Sequence, residues 1–110
     1  MEGIDFIKAA IDKEVNSFNK GTEFTTHKIV EKIYENHKSD WDKAVLSYSK
    51  NGNQPNNKGL NITIQQVGSY LGRNQGNLKI NKVNGNKKIP SSANLGGRKI
   101  GRKSTLWRKL

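Results

Sequence analysis

The chain of 110 residues contains no cysteine. That excludes a disulfide framework and thiolate metal ligands, and suits a reducing compartment. No apolar run approaches the roughly 18 residues that a membrane span needs. The opening residues, MEGIDFIKAAIDKEV, carry acids where a secretory signal carries a basic stretch. These absences point to a cytoplasmic protein with no membrane partner.

Catalytic signatures are missing too. The sequence holds no GxxxxGKS or GxxxxGKT, no HExxH and no GxSxG. Its two histidines, His27 and His37, stand far apart with no cysteine to complete a zinc site. Glu31 and Glu35 fit ordinary charges on a helix surface. The expectation is a chain that is not an enzyme, with no metal and no cofactor.

The third scarcity is of acids in the second half. Residues 1–60 contain nine lysines, no arginine and all nine carboxylates, so they are neutral. Residues 61–110 hold eleven Lys and Arg and no acid, and therefore carry the entire net charge of +11. Charge segregated in this way is the footprint of a polyanion binder, because each cation that meets a phosphate releases condensed counterions. Aromatics are few in the basic half, only Tyr70 and Trp107. That argues against the stacking platforms of single-strand RNA modules and for double-stranded DNA.

With 32% hydrophobic residues and a mean hydropathy of −0.86, one modest core is expected in a single domain spanning 1–110. Ile4, Ile7, Ile11, Val15 and Phe18 recur at helical spacing, predicting an amphipathic helix over 4–18 that closes near Gly21. The Thr25–Thr26 pair can cap a second helix over 26–37, with Ile29, Val30, Ile33 and Tyr34 inward. Ser39 and Asp42 have capping-box spacing and open a third, with Trp41, Ala44, Val45 and Tyr48 on one face. Residues 50–61, rich in Asn and Gly, read as a loop or insertion.

A fourth helix is expected over 63–73, opened by Thr63 and Gln66 and buried through Ile64, Val67 and Leu71. NLKINKV then alternates like a strand, and STLWRKL has the character of a closing strand. Between them, residues 84–104 read as a flexible basic wing.

Helices FTTHKIVEKIYE and ITIQQVGSYLGRN, followed by strands KINKV and STLWRK around a basic loop, resemble the winged helix-turn-helix superfamily. The resemblance implies an α+β fold of three or four N-terminal helices followed by a two- or three-stranded antiparallel wing. It departs from that pattern in the Trp41 helix, which intervenes before the recognition helix. A second parsing places QQVGSYL as the first helix and 74–84 as the recognition helix.

The resemblance implies that helix 63–73 enters the major groove. Gln65, Gln66, Ser69 and Arg73 would face base edges, with Thr63, Tyr70 and Asn74 beside the phosphates. Lys87, Lys88, Arg98, Lys99, Arg102 and Lys103 would place the wing on the backbone or in the minor groove. Regulation of transcription is the expected use. The alternative is an adaptor or inhibitor, of the kind carried by mobile elements, that binds a nucleic-acid enzyme through the basic face. The Trp41 region is a candidate protein contact, and the polar outer face of the first helix points to a monomer.

Overall fold

The computed structural model describes residues 2–49, 57–85 and 87–110. Its N-terminal stripe forms as expected, but in two pieces. Gly3–Phe6 is a 3-10 turn and α1 runs over Lys8–Asn16, with Ile4, Ile7, Ile11 and Val15 all buried. The turn is fixed at its start, where the Glu2 amide donates to Asp5 Oδ2 (3.1 Å) and the Ile4 amide donates to the Tyr48 hydroxyl (2.9 Å). The helix stops at Asn16, ahead of Gly21. Gly21 instead introduces strand β1 (Glu23–Thr25), and its amide donates to the Lys109 carbonyl (2.7 Å).

Thr25 caps α2 (Thr26–Asn36) as its sequence position suggests, its Oγ1 accepting from the Lys28 amide at 3.1 Å. Helix α3 (Lys38–Tyr48) follows after His37 alone and begins one residue before Ser39. The expected Ser39–Asp42 capping box therefore does not form, and Asp42 pairs with Lys38 one turn back (2.6 Å).

Helix α4 covers Asn57–Arg73, so it starts six residues ahead of Thr63. Of the expected loop at 50–61, residues 57–61 are helical and 50–56 lie outside the described residues. The cause is tertiary. Gly59 is buried against α3, where a Cβ would come 2.5 Å from the Val45 carbonyl oxygen, so only glycine lets the two helices cross this closely.

One further turn, α5 (Gln75–Leu78), ends at Lys79 in the left-handed conformation (φ 55). The chain then enters β2 (Ile80–Lys82). A recognition helix over 74–84 is thereby excluded: helical backbone ends at Leu78, where the alternation of Leu78, Ile80 and Lys82 takes over.

Strand β7 (Leu106–Lys109) lies at the centre of a three-stranded antiparallel sheet in the order β1-β7-β2, with Trp107 opposite Phe24 on one side and Lys82 on the other. Beyond this sheet the chain continues as a hairpin in two short ladders. One pairs β3 (Ile89–Pro90) with β6 (Lys103–Ser104), and the other pairs β4 (Ala93–Leu95) with β5 (Arg98–Ile100).

Residues 84–104, read from sequence as a flexible basic wing, thus contain paired strands that lie along α2. Ala93 and Leu95 are buried in the common core, and the Asn94 amide donates to Glu31 Oε2 at 2.6 Å. Among the described residues, five α-helices and small antiparallel sheets around one core make this an α+β fold.

Candidate nucleic-acid interface

Helix α4 decides where the expected base readers go. Its buried side carries Gly59, Thr63, Val67 and Leu71, and its outer side exposes Asn57, Asn61, Gln65, Ser69 and Arg73 at every fourth position. Three of the expected residues therefore share one polar stripe. Gln66, turned about 100° from Gln65, is half-buried on the opposite flank.

Three expected contacts do not belong to this face. Thr63 is fully buried and mid-helix, its hydroxyl donating to the Gly59 carbonyl (2.7 Å), so it offers nothing to a phosphate. Tyr70 points to α1 and donates its hydroxyl to Asp12 (2.8 Å); burial first, and then the Asp12 carboxylate, push its pKa up to about 12. Asn74 folds its amide back onto the Tyr70 carbonyl at 2.8 Å, closing the end of α4. Thr63 has the look of a helix start, but α4 begins six residues earlier; Tyr70 and Asn74 are taken up by partners on α1 and on α4 itself.

Between α4 and the hairpin runs an open trough of about 610 Å3. Its helix wall is Ile64, Gln65, Gly68, Ser69 and Gly72; its floor is Thr26 and Trp107; and its far wall carries Lys82, Lys88, Lys103, Ser104 and Thr105. Among the described residues no carboxylate lines it. The floor is tied together by the Trp107 indole, which donates to Thr26 Oγ1 at 3.0 Å, both residues being buried.

His27 closes the side of the trough nearest α2. Its Nδ1 lies 3.0 Å from Ser91 Oγ, and Gly101 presses on the other ring nitrogen, where a Cβ would stand 2.6 Å from Nε2. Gly101 also holds φ +88, which only glycine adopts without strain. Burial, with Lys88 adding to it against the opposing pull of Glu31, holds the His27 pKa below the usual 6.5. The imidazole is therefore neutral at physiological pH, and the charge of the trough comes from its lysines.

The basic residues divide into two groups. Arg108 pairs with Glu23 (2.5 Å) and the Lys109 ammonium donates to the Leu78 carbonyl (3.0 Å), so both serve the sheet. Lys87, Lys88, Lys99, Arg102 and Lys103 are exposed, with no ion pair among the described residues. Arg98, at the hairpin tip, donates to Asn57 Oδ1 (2.7 Å) at the first residue of α4. The hairpin therefore runs beside α4, from Trp107 near Gly72 to Arg98 at Asn57.

Sequence reasoning missed Lys82, Thr105 and the glycines Gly68 and Gly72 as parts of the same surface. The glycine pair, one helical turn apart inside a helix, was the available signal. The convergence of Lys82, Lys88 and Lys103 was not readable, because it depends on pairing β2 with β7 and β3 with β6.

In the Trp41 region, a candidate protein contact, the Trp41 side chain itself is buried on α3, while Asp42 and Lys43 beside it are exposed. Among the described residues no three His, Asp or Glu side chains converge on a possible metal position, and no helix is long and apolar enough to cross a membrane.

No protein-family model, curated protein or solved structure matches the chain. The fold and trough define it as an α+β protein that presents an acid-free basic groove beside one exposed polar helix face.

Proposed function

We propose that the chain is a winged-helix protein that binds double-stranded DNA, with α4 presented to the major groove and the basic hairpin on the backbone beside it. The observation that carries this reading is the trough itself. Gln65 and Ser69, able to hydrogen-bond base edges, line the same concavity as Lys82, Lys88 and Lys103, with no acid among them. Element order supports it as well: amphipathic helices lead into antiparallel strands that bracket a basic hairpin. Such a protein serves transcription as a regulator. The alternative, an adaptor or inhibitor that binds a nucleic-acid enzyme through the same basic face, is separated from this reading by competition between duplex and an acidic peptide.

A duplex binder held by about six phosphate contacts has a log affinity that falls against log salt with a slope near −5. Fluorescence anisotropy with a labelled random duplex, repeated over a salt series, measures this slope. Unlabelled duplex should compete far better than a polyglutamate peptide or a single strand. Equal competition by the peptide, or binding insensitive to salt, would overturn the reading.

A further inference from the structure

We infer that the trough between α4 and the hairpin receives one sugar-phosphate strand of the duplex, with successive phosphates on Lys82, Lys88 and Lys103 and the sugars against Gly68 and Gly72. This rests on the duplex-binding reading above and adds which part of the duplex enters the protein, and by which route.

Three features of the cavity lead here. Its charge is wholly positive and comes from one wall, which suits a ligand whose charges form a single row. Its other wall carries no charge and is open at two points, where Gly68 and Gly72 bring helix backbone to the surface between Ile64 and the Gln65–Ser69 edge. Its length also suits a short row of charges: from Ile64 to Gly72 is ~12 Å of helix, room for more than one phosphate of a single strand.

The glycines separate a ligand role from a packing role. At Gly59 a Cβ would collide with α3, and at Gly3 it would stand 2.5 Å from the Tyr48 ring, so the fold itself demands glycine at both positions. At Gly68 the nearest atom to an added Cβ is the Thr26 methyl at 3.6 Å, and at Gly72 it is the Trp107 ring at 3.9 Å. Both are ordinary contacts, so nothing inside the protein excludes a Cβ there. Glycine within a helix is unfavourable relative to alanine, and what it gives in return at these two positions is an unobstructed stretch of the helix wall. A strand seated against that wall places Gln65 and Ser69 over the adjoining base edges and leaves Arg98 to meet the backbone farther along, at the α4 N-terminus.

The test is anisotropy with a fluorescein-labelled duplex for Gly68→Ala, Gly72→Leu, Lys82→Gln, Lys88→Gln and Lys103→Gln. Lys43→Gln on the outer face of α3 is the control. Thermal melting of each variant establishes that it is folded.

The expected result is a loss of affinity of roughly tenfold or more for Gly72→Leu, the scale of one or more charge-assisted contacts, and a smaller loss for Gly68→Ala. Each lysine substitution should lower the salt slope by about 0.9, and Lys43→Gln should match the wild type. If the glycine variants melt like the wild type and bind the duplex with its affinity and slope, the strand does not enter the trough, while duplex binding itself stands. If the wild-type chain does not bind duplex at all, the reading beneath this inference falls, and the inference falls with it.

Discussion

The indole of Trp107, on the closing strand β7, donates to the hydroxyl of Thr26 in the first turn of α2, across 81 residues of sequence (3.0 Å), with both side chains buried. This one contact joins the C-terminal strand to the helix layer and forms the floor of the trough. Trp107→Ala should cost about 3–5 kcal/mol, since it empties a large core site. Trp107→Phe should cost about 1–3 kcal/mol, leaving the Thr26 hydroxyl without its donor. Urea denaturation measures both. Arg98→Ala combined with Lys99→Ala, at the exposed hairpin tip, should leave stability nearly unchanged and weaken duplex binding; unfolding as severe as that of Trp107→Ala would assign the tip a structural role.

Acid should weaken the fold in two windows. Glu14 is a buried carboxylate held between α1 and the end of α2. Burial opposes its ionisation, but His37 (2.9 Å), Lys32 (3.6 Å) and Asn36 (3.4 Å) outweigh it and hold the pKa below 4.5. Its folded-state pKa is depressed, so its contribution is full above 4.5 and is lost as pH falls through the lower folded value. His27 acts with the same sign but higher: kept neutral by burial, it makes the unfolded chain the better proton acceptor as pH drops below 6.5. Glu14→Gln should cost about 1–3 kcal/mol at neutral pH and flatten the lower limb, whereas His27→Asn should flatten only the upper one. Urea midpoints across a pH series separate the two.

Tyr70 supplies a test at the alkaline end. Its hydroxyl donates to Asp12 and its pKa is raised from 10.0 to about 12. A raised folded value means that the contribution of this bond is complete below 10.0 and is lost as pH climbs toward about 12. Spectrophotometric titration should show a late tyrosine component that disappears in Tyr70→Phe. That variant should be about 1 kcal/mol less stable and bind duplex as the wild type does. A loss of duplex affinity without a loss of stability would return Tyr70 to the interface.

What was legible in the sequence follows from the range of the interactions involved. The Ile4–Val15 stripe, the Thr25 cap and the buried sides of α2 and α3 are set by neighbours within a turn or two, and helical periodicity exposes them. Strand β1 was not legible. Glu23–Thr25 has a single buried residue, Phe24, and becomes a strand only because β7 pairs with it. The start of α4 was hidden for a similar reason: Asn57, Lys58 and Gly59 have loop composition, and the packing of Gly59 under α3 overrides it. At the site, Gln65 and Ser69 could be read from helical angle, whereas the lysine wall required the strand register.

The two adjacent glutamines offer the sharpest contrast on α4. Gln65 is exposed and lines the trough, whereas Gln66 is half-buried on the other flank. A glutamine can pair with adenine through two hydrogen bonds, each good bidentate pair being worth about 1–3 kcal/mol of discrimination. If α4 reads bases through the Gln65–Ser69–Arg73 stripe, Gln65→Ala should relax preference at one position among sequences selected from a random duplex pool. Gln66→Ala should return the wild-type motif, and a lysine change such as Lys103→Gln should weaken all sequences alike, since phosphates carry no sequence information. A motif altered by Gln66→Ala and not by Gln65→Ala would mean that the opposite flank of α4 meets the duplex, and the trough would then lie on the wrong side of the helix to hold its backbone.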